Sequence, residues 1–251
     1  VSAVETETNQ RVALVTGGGV RVGRAISRRL ADTGCAVAVN YCRSRRAADE
    51  LVAEIAASGG RALAVQADIT DPVALRQLVG EVEERLGSVD LLINNAAIFE
   101  RRPFLELEEE DWTRHLRLNL EAPFRLIRLI GAGMWERERG RIINICGTVG
   151  IQPPGEYAPY CVAKGGLDVL TRCAAEALAP RVQVNGVAPG AILFPEGTSE
   201  AEQRKILSRV PAGRQGDPED IAATVAFLAD APDYITGTIL PVDGGASLVT
   251  G

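Results

Sequence analysis

The chain has 251 residues, 46% of them hydrophobic, and a formal charge of −6, which is enough apolar mass for one full α/β core. An acidic balance without a long basic run excludes sequence-independent nucleic-acid binding, and no apolar stretch reaches the length of a membrane span. The polar, acidic first ten residues are unlike a signal peptide, and the five cysteines, Cys35, Cys42, Cys146, Cys161 and Cys173, are odd in number and lack CxxC spacing, so the expectation is a cytoplasmic protein with reduced thiols, no zinc site and no disulfide framework.

Strand-then-helix units recur along the chain: strand 11–16 with helix 22–32, strand 36–40 with helix 45–58, strand 62–66 with helix 71–86, strand 91–94 with helix 111–138, and strand 141–145 with helix 157–178. Strand 182–187 leads into a loop, then a helix over 218–229 and a last strand over 239–242. Strands this apolar suit a parallel sheet covered on both faces. The expected architecture is a single-domain Rossmann-type α/β fold, a doubly wound parallel sheet with helices on both faces, over residues 11–251, preceded by a flexible segment, residues 1–10. The acid run 108–111 complements a helix N-terminus better than it makes a metal site. His115, the only histidine, lies in an Arg- and Leu-rich helical pattern and has a structural role, so Ser-His-Asp chemistry is not expected.

The first two units carry a nucleotide site. After a buried strand, Gly17, Gly18, Gly19 and Gly23 let the backbone turn sharply and bring amides to a pyrophosphate at the next helix; a glycine-rich turn without a ligand is the plainer alternative. The spacing departs from G-x-G-x-x-G and places the bulky Arg21 where a middle glycine is common, so Arg21 faces the ligand as a cation. An acidic residue after the second strand would bind the ribose hydroxyls of NAD and repel a phosphate. This chain has Asn40-Tyr41-Cys42-Arg43-Ser44 instead, and Arg43 with Ser44 suits a 2′-phosphate. NADPH is therefore the expected cofactor. Asp68-Ile69 is placed to meet the adenine, with a helix-boundary role for Asp68 as the alternative.

Further on, Tyr160 and Lys164 are four apart and share one face of a helix, where an ammonium beside the phenol favours its phenolate and poises it for proton transfer. An exposed polar face is the plainer reading of that spacing alone.

The stretch Thr16 to Gly23, Asn94-Asn95-Ala96, Asn119, Tyr160 with Lys164, Pro189-Gly190 and Asp243-Gly244-Gly245, in this order, resembles the short-chain dehydrogenase/reductase family over almost the whole chain. The resemblance implies Tyr160 as proton donor, Lys164 as its electrostatic partner and nicotinamide-ribose ligand, and Asn119 as holder of a relay water. It implies cofactor contacts from Gly17, Arg21, Val22 and Gly23 and from Tyr41, Arg43 and Ser44. Further contacts come from Asp68 and Ile69, from Asn95, Ala96 and Ala97, and from Pro189, Gly190 and Ile192. A homotetramer is the family default.

A serine usually stands thirteen residues before the tyrosine, where its hydroxyl polarises a substrate carbonyl; this chain has Gly147. Losing such a donor costs roughly 2.7–4 kcal/mol of transition-state stabilisation. Thr148 supplies a replacement if the strand has already bent into a loop, whereas a regular strand points it to the other face. The TGxxxRxG pattern with Arg21, the exit Tyr41 to Ser44, and Asn95 to Phe99 resemble the pteridine reductase branch. That likeness implies Phe99 stacking a flat pterin, with Arg21, Tyr160, Leu193 and Phe194 also at the substrate. Without the likeness, Phe99 is a loop-packing residue. The branch commonly has aspartate at the Gly147 position, so this chain departs from it too. The leading expectation is NADPH-dependent reduction of a pterin or folate C=N bond, where one acid suffices. The alternatives are a carbonyl reductase such as a 3-oxoacyl reductase, and a noncatalytic NADP-binding protein.

Overall fold

The computed structural model describes residues 10–148, 154–194 and 197–249, so the proposed flexible segment lies, apart from Gln10, outside the described residues. Seven apolar strands, β1 (Val12–Val15), β2 (Ala36–Tyr41), β3 (Ala62–Gln66), β4 (Val89–Asn94), β5 (Arg141–Ile145), β6 (Gln183–Pro189) and β7 (Ile239–Val242), pair in parallel in the order β3-β2-β1-β4-β5-β6-β7. The order reverses between β1 and β4. That reversal opens a crevice at the carboxyl ends of the strands.

Alternation along each strand feeds two cores. Leu14, Ala38, Leu92, Ile142 and Val184 face α3 (Pro72–Leu86), α5 (Ala122–Glu136) and α6 (Ala158–Leu178). Ala13, Val15, Val37, Ile93 and Ile143 face α1 (Arg21–Asp32), α2 (Arg45–Ala57) and α8 (Pro218–Asp230). Both faces of β1, β2 and β4 are thus dry, which accounts for their nearly continuous apolar runs.

Local chemistry sets the helix ends. The Asp71 side chain accepts the Val73 N–H at 2.8 Å and Pro72 occupies the first turn of α3, while Gly87 leaves it at a φ of 106°. Asp217 and Pro218 start α8 in the same way.

Two expectations are corrected. The single helix over 111–138 is three pieces, α4 (Glu109–Leu116), a π-helical segment Arg117–Glu121, and α5. Pro123 explains the break: it has no N–H to give the Asn119 carbonyl four residues earlier, and the Ala122 N–H reaches back five residues to Arg117 O. The loop expected after β6 contains a short helix, α7 (Glu200–Leu207), whose Ser199-x-x-Glu202 capping box is a start signal in the sequence. The acid run behaves as anticipated, with Asp111 accepting the Glu108 N–H at 3.2 Å and ion-paired to Arg102 and Arg114.

Candidate active site

The crevice is held at its root by Thr16, at the end of β1. Its hydroxyl accepts the N–H groups of Asn95 (2.9 Å) and Ala96 (3.0 Å), just beyond β4. Asn95 returns its amide to the carbonyls of Thr16 (2.9 Å) and Gly17 (3.3 Å). Asn95 therefore clamps the glycine loop, while Ala97, next along, is exposed. The loop has no room for side chains: a Cβ at Gly23 would lie 2.2 Å from Gly17 O, and Gly17 has a φ of +60°. Arg21 takes a φ of 52°, a conformation an arginine adopts at a cost, and its guanidinium reaches across to Leu193 O at 3.5 Å.

Two helix N-termini face the crevice without a capping side chain. Neither α1 nor α2 has a side-chain cap or an acid in its first turn, whereas α3, α7 and α8 have their own acidic or hydroxyl caps. Uncapped N-terminal amides are places for anions. The second lies at the exit of β2, where Ser44 is the N-cap and Arg43 is exposed and makes no ion pair among the described residues. Tyr41 is buried in the core, and its carbonyl accepts the Ala67 N–H at 2.9 Å. Asp68 folds its carboxylate back onto Thr70, accepting from its N–H (2.9 Å) and hydroxyl (2.7 Å), and the Ile69 side chain packs in the core. These contacts engage Oδ1 in the boundary role and leave Oδ2 of the exposed Asp68 open toward an adenine.

Tyr160 and Lys164 occupy the first two turns of α6, with Lys164 only 2% exposed. The Lys164 ammonium donates to Ile145 O at 2.6 Å and sits 5.8 Å from the centre of the Tyr160 ring. Burial pushes Lys164 down to about 8. It also pushes the Tyr160 phenol well up, reinforced by the neighbouring Cys161, Cys146 and Asp168. That corrects the expectation of a favoured phenolate. In the free protein, loss of solvent outweighs the ammonium, whose proton is aimed at a carbonyl, and the tyrosine keeps its proton.

Asn119 is fully buried, and its side chain is spent on Ile98, accepting the N–H and donating to the carbonyl at 3.0 Å each. Its own carbonyl stands opposite Pro123, which has no N–H to give it. The side-chain clamp positions Phe99, which is 46% exposed, stacks on Tyr157 at 4.2 Å and 3°, and meets Tyr160 edge-on at 4.7 Å. Tyr157 escaped the sequence reading, although its place three residues before Tyr160 was a usable signal. β5 ends at Ile145, so Gly147 and Thr148 lie in a loop, and the Thr148 hydroxyl donates to Pro189 O at 3.4 Å. Pro189 and Gly190 are pinned to β7 by the Gly190 N–H to Val242 O bond of 3.0 Å. Ile192 is buried; Leu193 and Phe194 continue the wall, their carboxyl-side neighbours Pro195 and Glu196 lying outside the described residues.

Comparison with known proteins places this arrangement. The family model described as Enoyl-(Acyl carrier protein) reductase matches residues 19–247. A 3-oxoacyl-[acyl-carrier-protein] reductase of Synechocystis sp. is 40% identical over 243 residues, covering 96% of this chain and 98% of that protein. The crystal structure of FolM alternative dihydrofolate reductase 1 from Brucella canis, complexed with NADP, matches at a TM-score of 0.90 and 32% identity, covering 96% of this chain and 95% of the other. A gluconate 5-dehydrogenase from Burkholderia cenocepacia, in complex with NADP and tartrate, matches at 0.89 and 32%, covering 96% of each chain.

Removing the Asn119 clamp tests its role. Asn119→Ala strands the half-buried Ile98 N–H and carbonyl and is expected to lower stability by about 1 kcal/mol in denaturant titration, with faster amide exchange at Ile98 and Phe99.

Proposed function

The chain belongs to the short-chain dehydrogenase/reductase family, and on that premise we propose that it is an NADPH-dependent carbonyl reductase acting on a 3-oxoacyl-type substrate. The observation that carries the choice of carbonyl is Thr148. Its hydroxyl lies beyond the end of β5 against the Pro189 carbonyl, one residue past the position where the family has a serine. A ketone oxygen needs two donors as charge develops on it, and Tyr160 supplies one and Thr148 the other once its single O–H turns from the Pro189 carbonyl to the substrate. The full-length likeness to 3-oxoacyl reductases points the same way.

The residues present fit the cofactor. A glycine loop with no space for Cβ atoms leads into the uncapped α1, and Arg43 with uncapped α2 suits the extra phosphate of NADPH. When bound, NADPH supplies the hydride. Tyr160, kept protonated by burial, gives its proton to the carbonyl oxygen. The Lys164 ammonium meets the phenolate as it forms, and the Asn119 carbonyl offers a place for the water that returns the proton. Oxidised thiols have no part in this scheme, and all five cysteines are free, which suits a reducing cytoplasm. Exposed Trp112, Phe124 and Leu129 on α4 and α5, and Val162 and Val169 on α6, suit burial in a homotetramer. No helix among the described residues is long and apolar enough to cross a membrane.

Pterin reduction is the second reading, favoured by the Phe99–Tyr157 stack, which leaves Phe99 46% exposed for a flat ring, and by the likeness to the Brucella protein.

NADPH oxidation measured against an acetoacetyl thioester, dihydrobiopterin and dihydrofolate decides between them. Turnover of the thioester is expected, with Thr148→Val lowering kcat about a hundred-fold; turnover of the pterins alone overturns the carbonyl reading. Arg43→Ala should raise the KM for NADPH about tenfold and leave that for NADH unchanged, since a charged hydrogen bond contributes about 1.5–3 kcal/mol. The reduction rate should also fall as pH rises through about 8, where Lys164 loses its proton; a rate that holds well above that pH removes Lys164 as an ammonium partner.

A further inference from the structure

Beneath Tyr160 and Lys164 lies a polar cluster that the reduction leaves unused. Cys146, directly after the carbonyl that holds Lys164, is 2% exposed, and its thiol lies against the carboxylate of Asp168. Asp168 stands one helical turn beyond Lys164 on α6. Its Oδ1 is buried and has no hydrogen-bond partner among the described residues. A buried carboxylate oxygen without a donor is costly unless a nearby charge compensates it.

The titratable groups around Lys164 are few. Cys146 faces it from the end of β5, Asp168 and Tyr160 from its own helix. Asp168 in turn faces Cys146, Lys164 and Arg172. Burial drives the Cys146 thiol up, so it is neutral at ordinary pH, as is the Tyr160 phenol. Among the described residues Asp168 is then the one carboxylate facing Lys164; burial raises its hold on a proton, and Cys146, Arg172 and Lys164 act against that rise.

We propose that Asp168 is a positioning residue, the buried counter-charge that keeps Lys164 an ammonium, so that the working unit is a Tyr160–Lys164–Asp168 triad with the Cys146 thiol packed against the carboxylate. The same negative charge opposes a phenolate at Tyr160 and so holds the tyrosine in its proton-donating form. For its catalytic consequence the proposal rests on the reductase reading above. Its electrostatic core does not.

The chain makes a direct test possible, because two of its 27 basic residues are lysines, Lys164 and Lys205. In protein labelled with 13C-lysine, Lys205→Arg assigns the two signals, and Lys164 is titrated with no substrate or cofactor present. The midpoint is expected near the value of about 8 in the wild type, about one pH unit lower in Asp168→Asn, and back near the wild-type value in Asp168→Glu. Equal midpoints in wild type and Asp168→Asn overturn the proposal. Should Asp168→Asn not fold, the wild type alone decides: its Lys164 signal must show a second step in acid as Asp168 takes its proton, and a single-step titration overturns the triad. Failure to reduce any carbonyl or pterin would remove the functional reading while leaving this midpoint comparison to judge the triad.

Discussion

Everything at the working edge of this protein hangs on the join between β1 and β4. Where the strand order reverses, neighbouring connections part and the sheet opens a crevice. One hydroxyl, that of Thr16, spans the gap by taking the amides of Asn95 and Ala96, and the Asn95 side chain closes the bond pattern on the glycine loop. The loop's shape is thereby fixed from outside, which is why it can dispense with side chains of its own and leave the α1 amides uncapped. Two residues further on, Ile98 is held by Asn119 from the π-helical segment. The cofactor side and the substrate side of the crevice are therefore tied to the same short stretch of chain after β4.

Much of this was legible in the sequence, for a physical reason. Buried parallel strands must be apolar on both faces, so β2, β4 and β5 announced themselves to within two residues. A position closed to any Cβ by backbone collision, such as Gly23, shows in the sequence as a glycine. The departures are equally physical. A helical period continues smoothly through residues 111–138, and the π segment changes it by one residue; only Pro123, read as a missing donor, marks the place. Asp68 has the composition of an adenine contact and the hydrogen bonds of a local turn, and no pattern in one sequence separates those.

The least legible part was electrostatic. Spacing told that Lys164 and Tyr160 share a helix face, but not how much water remains around them, and desolvation decides the protonation state. A charged neighbour in an exposed setting would favour a phenolate; in a setting where Lys164 is 2% exposed, the phenol keeps its proton. Spacing puts Asp168 one turn beyond Lys164, but it does not reveal Cys146 as a neighbour, since the thiol arrives from the end of β5 only once α6 lies on the sheet.

These constraints also bear on why arginine supplies nearly every cation elsewhere while the site retains a lysine. A guanidinium stays protonated at any pH a protein meets, and its planar fork suits the surface ion pairs that recur here, from Arg24 with Glu54 to Arg214 with Asp220. A compact ammonium is the cation that a buried position can shift, and the site places one between a carbonyl, a phenol and a carboxylate. Its response to the surroundings follows from burial: desolvation removes part of its hold on the proton, and an anion within the same dry cluster returns some of it. With the carboxylate one turn away on the same helix, the balance between those two effects is set by how α6 seats on β5, where Lys164 donates to the Ile145 carbonyl and the Thr171 hydroxyl accepts from the Asn144 amide.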